Sequence, residues 1–177
     1  KVNFNEKKLC TLVSSCKSSG HPQELYSHRV KIINFFEKNF PKDFDFYGVG
    51  WHSSAHPCYK GPIKDKLPYL RNYKFALCYE NMISETYLTE KIFDAMHAGC
   101  VPVYWGARKI TDYIPYPAYI LREDFKNDEE LYNFLKSMSE EKYQSYINAA
   151  KDFFASEFAR KFSIDYFVNN VLQKLFD

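Results

Sequence analysis

The stretch that most constrains this chain runs from Tyr73 to Gly106. Phe75 to Tyr79 is a short apolar run without polar alternation, the pattern of a strand buried on both faces. Thr89 stands where an N-cap is expected and Gly99 where a C′ residue is expected. Between them lie Ile92, Phe93, Ala95, Met96 and Ala98. Cys100 to Trp105 reads as a second buried strand, with Pro102 tolerated near its start. Strand, loop, helix and strand in that order predict one parallel β-α-β unit.

In such a sheet, ligands bind beyond the carboxyl ends of the strands. Here that position is the segment Glu80 to Thr89, read as a loop, which holds Glu80, Asn81, Ser84, Glu85, Thr86 and Tyr87. Lys91 adds a sharper clue. A cation in the first turn of a helix opposes the macrodipole and costs a few tenths of a kcal/mol or more, a sign that a bound anion reverses. The alternative is an exposed lysine whose stem lies along the surface while its ammonium reaches water.

The flanking segments extend the same pattern. Lys8 to Ser15 predicts a first strand, with Ser14 and Ser15 at its carboxyl end, and Lys17 to Pro22 a Ser- and Gly-containing loop. A helix follows over about Gln23 to Phe40, its apolar stripe formed by Leu25, Ile32, Ile33, Phe36 and Phe40. Arg29 falls on that stripe. A guanidinium on a core-facing side needs a partner, and either a carboxylate or a phosphate suits its planar fork.

Asp45 to Val49 predicts a second strand. Gly50 to Leu70, with three prolines, is the longest irregular stretch, and loops of that length are usually functional or mobile. Its Lys60, Lys64 and Lys66 could serve an anion, although a solvated loop accounts for them equally. Ala118 to Leu121 predicts a further parallel strand. Helices are expected over Asp128 to Met138, from a cap at Ser139 to near Phe154, and along Ile164 to Leu175. Strands alternating with helices, then helices alone, predict an open, doubly wound, Rossmann-like α/β sheet with C-terminal helices.

A length of 177 residues permits one large domain, taken here as residues 1–177, and 46% hydrophobic residues suit a globular core. The net charge of +2, without a dense Lys/Arg run, gives no support for nucleic-acid binding. No apolar segment approaches about 18 residues, so no membrane span is expected. The five cysteines are odd in number and mostly lie in apolar strands, which favours reduced core thiols and a reducing compartment such as the cytoplasm. Zinc at His52, His56 and Cys58 is the rival, on a spacing that matches no standard ligand pattern. Neither GxGxxG nor GxxxxGK[ST] occurs, and no DxD-type acidic pair stands near a strand end. A diphosphate bound here must therefore be neutralised by basic side chains and helix ends.

Three blocks carry a resemblance: Tyr73-Lys-Phe-Ala-Leu-Cys-Tyr-Glu-Asn81, Tyr87-Leu-Thr-Glu-Lys-Ile-Phe-Asp94 and Ala98-Gly-Cys-Val-Pro-Val-Tyr-Trp-Gly106. Together they resemble the donor-site motif of the α-1,3/4-fucosyltransferases, the family 10 glycosyltransferases, and the likeness extends from Leu9 to about Phe125. It looks nearest to bacterial members. The resemblance implies the C-terminal half of a GT-B fold, binding GDP-fucose without a metal clamp or other obligatory cofactor. It implies Arg29 and Lys91 on the diphosphate, and Asn81, Tyr87 and Glu90 around the nucleotide sugar, with Glu90 on ribose or fucose hydroxyls. Glu80 is placed in the same donor site. Tyr79 stands where the family usually has Phe.

The reaction so implied is inverting transfer of fucose to an N-acetylglucosamine- or glucose-containing glycan. The family's acceptor-binding domain, which carries the expected base, precedes this one, and the chain begins abruptly at Lys1. The 177 residues are therefore expected to bind donor without turnover. The basic amphipathic tail of some bacterial members is missing, which leaves peripheral membrane attachment to the full-length protein. Two alternatives remain: a nucleotide-sugar-binding module that has lost catalysis, and the same fold with a different donor.

Overall fold

In the computed structural model, which describes residues 2–176, five parallel strands form one sheet in the order β2-β1-β3-β4-β5. The strands are β1 (Lys8–Val13), β2 (Phe44–Tyr47), β3 (Tyr73–Ser84), β4 (Val101–Ala107) and β5 (Ile120–Leu121). The helices are α1 (Tyr26–Asn39), α2 (Leu67–Leu70), α3 (Glu90–His97), α4 (Asp128–Ser137), α5 (Glu140–Ala155) and α6 (Ile164–Phe176). Register is fixed by Cys10 opposite Phe44 and Phe75, Phe75 opposite Val101, and Val103 opposite Ile120.

Alternation along β3 explains the layers. Phe75, Leu77 and Tyr79 point to one face, where they join Ile32, Ile33 and Phe36 of α1 and Leu131, Tyr132 and Leu135 of α4. Ala76 and Cys78 point to the other, against Ile92, Ala95 and Met96 of α3 and Phe153 of α5. Each fully buried Phe or Ile contributes about 1.5–3 kcal/mol relative to exposure. Burial on both faces is what removes polar alternation from the central strands. The expected doubly wound α/β sheet is therefore observed.

The boundaries differ where hydrogen bonds decide them. β3 continues to Ser84, so half of the segment read as a loop is strand. Its overrun pairs with the residues before α1: Leu25 N donates to Asn81 O at 2.9 Å and Ile83 N to Gln23 O at 2.8 Å. Those bonds flank an antiparallel bridge between Glu24 and Met82, and α1 starts only after it, at Tyr26. A short α2 interrupts the stretch read as irregular. Thr89 is the N-cap of α3 and Gly99, at φ +72, follows its C-terminus in the left-handed region, as expected. α6 exposes Ile164, Phe167, Val171, Leu172 and Leu175 to solvent. Among the described residues, no helix is long and apolar enough to cross a membrane.

Candidate functional site

With β1 lying between β2 and β3, the sheet has its topological switch point between β1 and β3, and a crevice opens beyond their carboxyl ends. A cleft of about 240 Å³ occupies that position. Its walls include Val13 at the end of β1 with Ser14 and Ser15 after it, Gly48 and Val49 after β2, and Asn81 on β3. Tyr26 and Arg29 enter from α1, Glu90 and Lys91 from α3, and Lys17, Ile63, Lys64 and Lys66 from loops.

Arg29 is 4% exposed. Its Nη1 donates to Ser14 Oγ at 3.1 Å, and its Nη2 to Tyr79 O at 2.7 Å and Asn81 Oδ1 at 3.1 Å. The Tyr26 ring lies 4.8 Å from the guanidinium carbon. All of these partners are neutral, and among the described residues no carboxylate lies within 4.0 Å of Arg29. Burial pushes its pKa down, against a smaller opposing pull from Tyr26 and Glu80. A buried cation without a counterion is costly, and the cleft is where an anion can relieve that cost. Of the two partners open to Arg29 in the sequence, the carboxylate is not present.

Lys91 is handled differently. Its Nζ donates to Glu80 Oε2 at 2.8 Å and to Thr89 Oγ1 at 2.9 Å, and its side chain stays 19% exposed. Glu80 is fully buried and also accepts from the Thr89 N–H at 2.9 Å and the Thr89 hydroxyl. It does not line the cleft. Its carboxylate instead ties the first turn of α3 to β3 and aims Lys91. The Thr89 hydroxyl donates to that carboxylate rather than accepting from a helical N–H.

Glu90 lines the cleft and pairs with Lys66 at 2.8 Å, while Lys66 also reaches Asp94 at 2.9 Å. Partial burial pushes the Glu90 pKa up, but the Lys66 hydrogen bond and charge bring it below the usual glutamate value. Tyr87 is 41% exposed at the rim, and its hydroxyl accepts from Asn81 Nδ2 at 3.4 Å. The structure thus gathers Arg29, Asn81, Glu90 and Lys91 in one cleft, links Tyr87 to it through Asn81, and sets Glu80 behind it. Ser14 and Tyr26 are contacts of Arg29 that side-chain type alone does not mark; the position of Ser14 at a strand's carboxyl end is the available signal. Of the loop lysines, Lys64 and Lys66 reach the cleft and Lys60 pairs with Asp45 at 3.3 Å instead.

The zinc alternative finds other partners. His56 Nδ1 lies 2.9 Å from Glu37 Oε2, and Cys58 Sγ is directed at Pro41 O. Among the described residues, no three His, Cys, Asp or Glu side chains are placed to hold a metal ion. The five cysteines are unpaired; Cys10, Cys58, Cys78 and Cys100 are buried and Cys16 is exposed.

A family model described as "Glycosyltransferase family 10 (fucosyltransferase) C-term" matches residues 2–170. The chain belongs to that family. A 4-galactosyl-N-acetylglucosaminide 3-alpha-L-fucosyltransferase 9 from Mus musculus is 33% identical over 156 residues, 86% of this chain and 39% of its own length. An alpha-(1,3)-fucosyltransferase FucT from Helicobacter pylori is 36% identical over 74 residues, 42% of this chain and 16% of its own length. The fold also matches a crystal structure of an alpha1,3-fucosyltransferase with GDP-fucose. That match has a TM-score of 0.62 at 24% identity, over 80% of this chain and 38% of the other. The chain is a fucosyltransferase-family glycosyltransferase sequence, and it spans 39% of the length of the mouse relative.

Proposed function

We propose that this chain binds GDP-fucose as the donor half of an inverting fucosyltransferase. The observation that carries the proposal is the buried Arg29 guanidinium, bonded only to neutral oxygens beside a cleft that Lys91 also lines. Family membership and the GDP-fucose complex of a structural relative support the choice of anion. The diphosphate supplies the charge Arg29 lacks and takes a second contact from Lys91. As the bond between fucose and phosphate breaks, the leaving GDP gains negative charge, and cations already fixed by Ser14, Asn81 and Glu80 stabilise it without reorganising. Glu90, Asn81 and Tyr87 offer acceptors and a donor for ribose and fucose hydroxyls. Cationic side chains do the neutralising, so no obligatory cofactor enters the proposal.

The acceptor is a glycan containing N-acetylglucosamine or glucose, gripped by a part of the protein outside this chain. An inverting displacement needs a base within about 3 Å of the acceptor hydroxyl. Glu80 is buried and engaged by Lys91 and Thr89, and Glu90 is tied to Lys66, so the base belongs to that other part. The unpaired cysteines suit a reducing compartment, the cytoplasm.

Calorimetry of GDP and GDP-fucose against the chain tests the donor assignment. Arg29→Ala and Lys91→Ala should each weaken GDP binding by about tenfold or more, the worth of a charge-assisted phosphate contact. UDP- and ADP-sugars should bind more weakly than GDP-fucose. If neither variant changes GDP affinity, the site is elsewhere.

A further inference from the structure

We propose that Lys64 is a further phosphate-binding residue, directed at the terminal phosphate of the nucleoside diphosphate; this rests on the donor reading above. Five cations line the cleft: Lys17, Arg29, Lys64, Lys66 and Lys91. Lys91 is engaged by Glu80, and Lys66 by Glu90 and Asp94. Among the described residues, Lys64, Lys17 and Arg29 have no carboxylate within 4.0 Å.

Lys64 differs from Lys17 in how its backbone is held. On one side Ile63 packs against the apolar cluster of α3 and β4. On the other, Lys66 bridges Glu90 Oε1 and Asp94 Oδ2 at 2.8 and 2.9 Å, which pins the loop to α3. The intervening Asp65 is occupied, its Oδ1 accepting from Leu67 N at 3.1 Å at the start of α2. Ile63, Asp65 and Lys66 therefore each have a structural task, while Lys64 lines the cleft without a carboxylate partner. Lys17 lies on the Ser- and Gly-containing loop after β1. The preceding Cys16 N–H donates to Val49 O at 2.8 Å, but on the far side the His21 N–H bonds within the loop, to Ser19 Oγ at 3.2 Å. A cation carried on a pinned stretch of backbone needs less loop ordering on binding than one on a freer loop, so Lys64 can discriminate where Lys17 only adds to the field.

The test compares GDP with GMP by calorimetry on the 177-residue chain at fixed ionic strength, with thermal melts confirming that each variant is folded. Wild type should bind GDP more tightly than GMP. Lys64→Ala should remove about tenfold of GDP affinity and leave GMP affinity unchanged, whereas Lys64→Arg should retain most of it. Lys17→Ala should cost about twofold or less, as a screened surface charge does. If wild type fails to prefer GDP over GMP, the diphosphate reading itself falls. If wild type prefers GDP and Lys64→Ala keeps the whole preference, only the Lys64 assignment falls. An equal loss from Lys17→Ala would also overturn it, because the effect would then be a diffuse one.

Discussion

Arg29 and Glu80 are buried charges of opposite sign near one cleft, and the chain treats them in opposite ways. Arg29 donates to a hydroxyl, a peptide carbonyl and a side-chain amide, which orient it without cancelling its charge. Glu80 is cancelled by Lys91 and saturated by Thr89. Glu80→Gln keeps the shape and the acceptor for Thr89 but removes the charge that Lys91 answers. It should therefore destabilise the fold by about 1–3 kcal/mol in denaturant titration. A change below about 0.5 kcal/mol would show that the ion pair contributes nothing net. The sequence singled out Arg29 and Lys91 because both break a local rule, one on an apolar stripe and the other in a helix's first turn. It could not separate Glu80 from Glu90. The two residues sit on different elements, Glu80 buried in β3 and Glu90 exposed at the first position of α3, and that difference appears only in the fold.

At the scale of elements, the β-α-β unit was readable because burial on both faces leaves an unbroken apolar run, and because Gly99 ends α3 at a positive φ. The extension of β3 was not. It depends on backbone bonds to Gln23–Leu25, some sixty residues earlier in the chain, and residues such as Asn81 and Ser84 are poor strand formers by composition. The close approach of β4 to Glu80 was equally hidden. A Cβ at Gly106 would lie 2.5 Å from Glu80 Cγ and 2.8 Å from Tyr104 Oη. Gly106→Ala must push the carboxylate or the tyrosine aside, and overpacking of that kind costs about 1–3 kcal/mol. The expected result is a lower urea midpoint with an unchanged slope. An unaltered midpoint would mean that the strand relaxes without strain.

For the whole molecule, the doubly wound parallel sheet and the family agree with the reading of the sequence, while the site and its residue roles rest on the binding experiments above. The chain covers 39% of the mouse relative's length, and Glu90, the carboxylate lining its cleft, is already paired with Lys66. The isolated 177 residues should therefore bind donor and show no fucosyl transfer from GDP-fucose to an N-acetyllactosamine acceptor. Transfer above the hydrolysis background would mean that a base lies within this chain after all.

The overrun of β3 has a mechanical consequence. Because Asn81 bonds both to the backbone of Leu25 and to the guanidinium of Arg29, the end of β3 and the start of α1 cannot separate without breaking both. That wall of the cleft behaves as one piece. The opposite wall is cross-bonded too: Gly48 N–H donates to Gly61 O at 3.1 Å, the Tyr59 hydroxyl to Gly48 O at 2.7 Å, and Lys66 bridges Glu90 and Asp94. The cleft is thus braced on both sides rather than hinged on one.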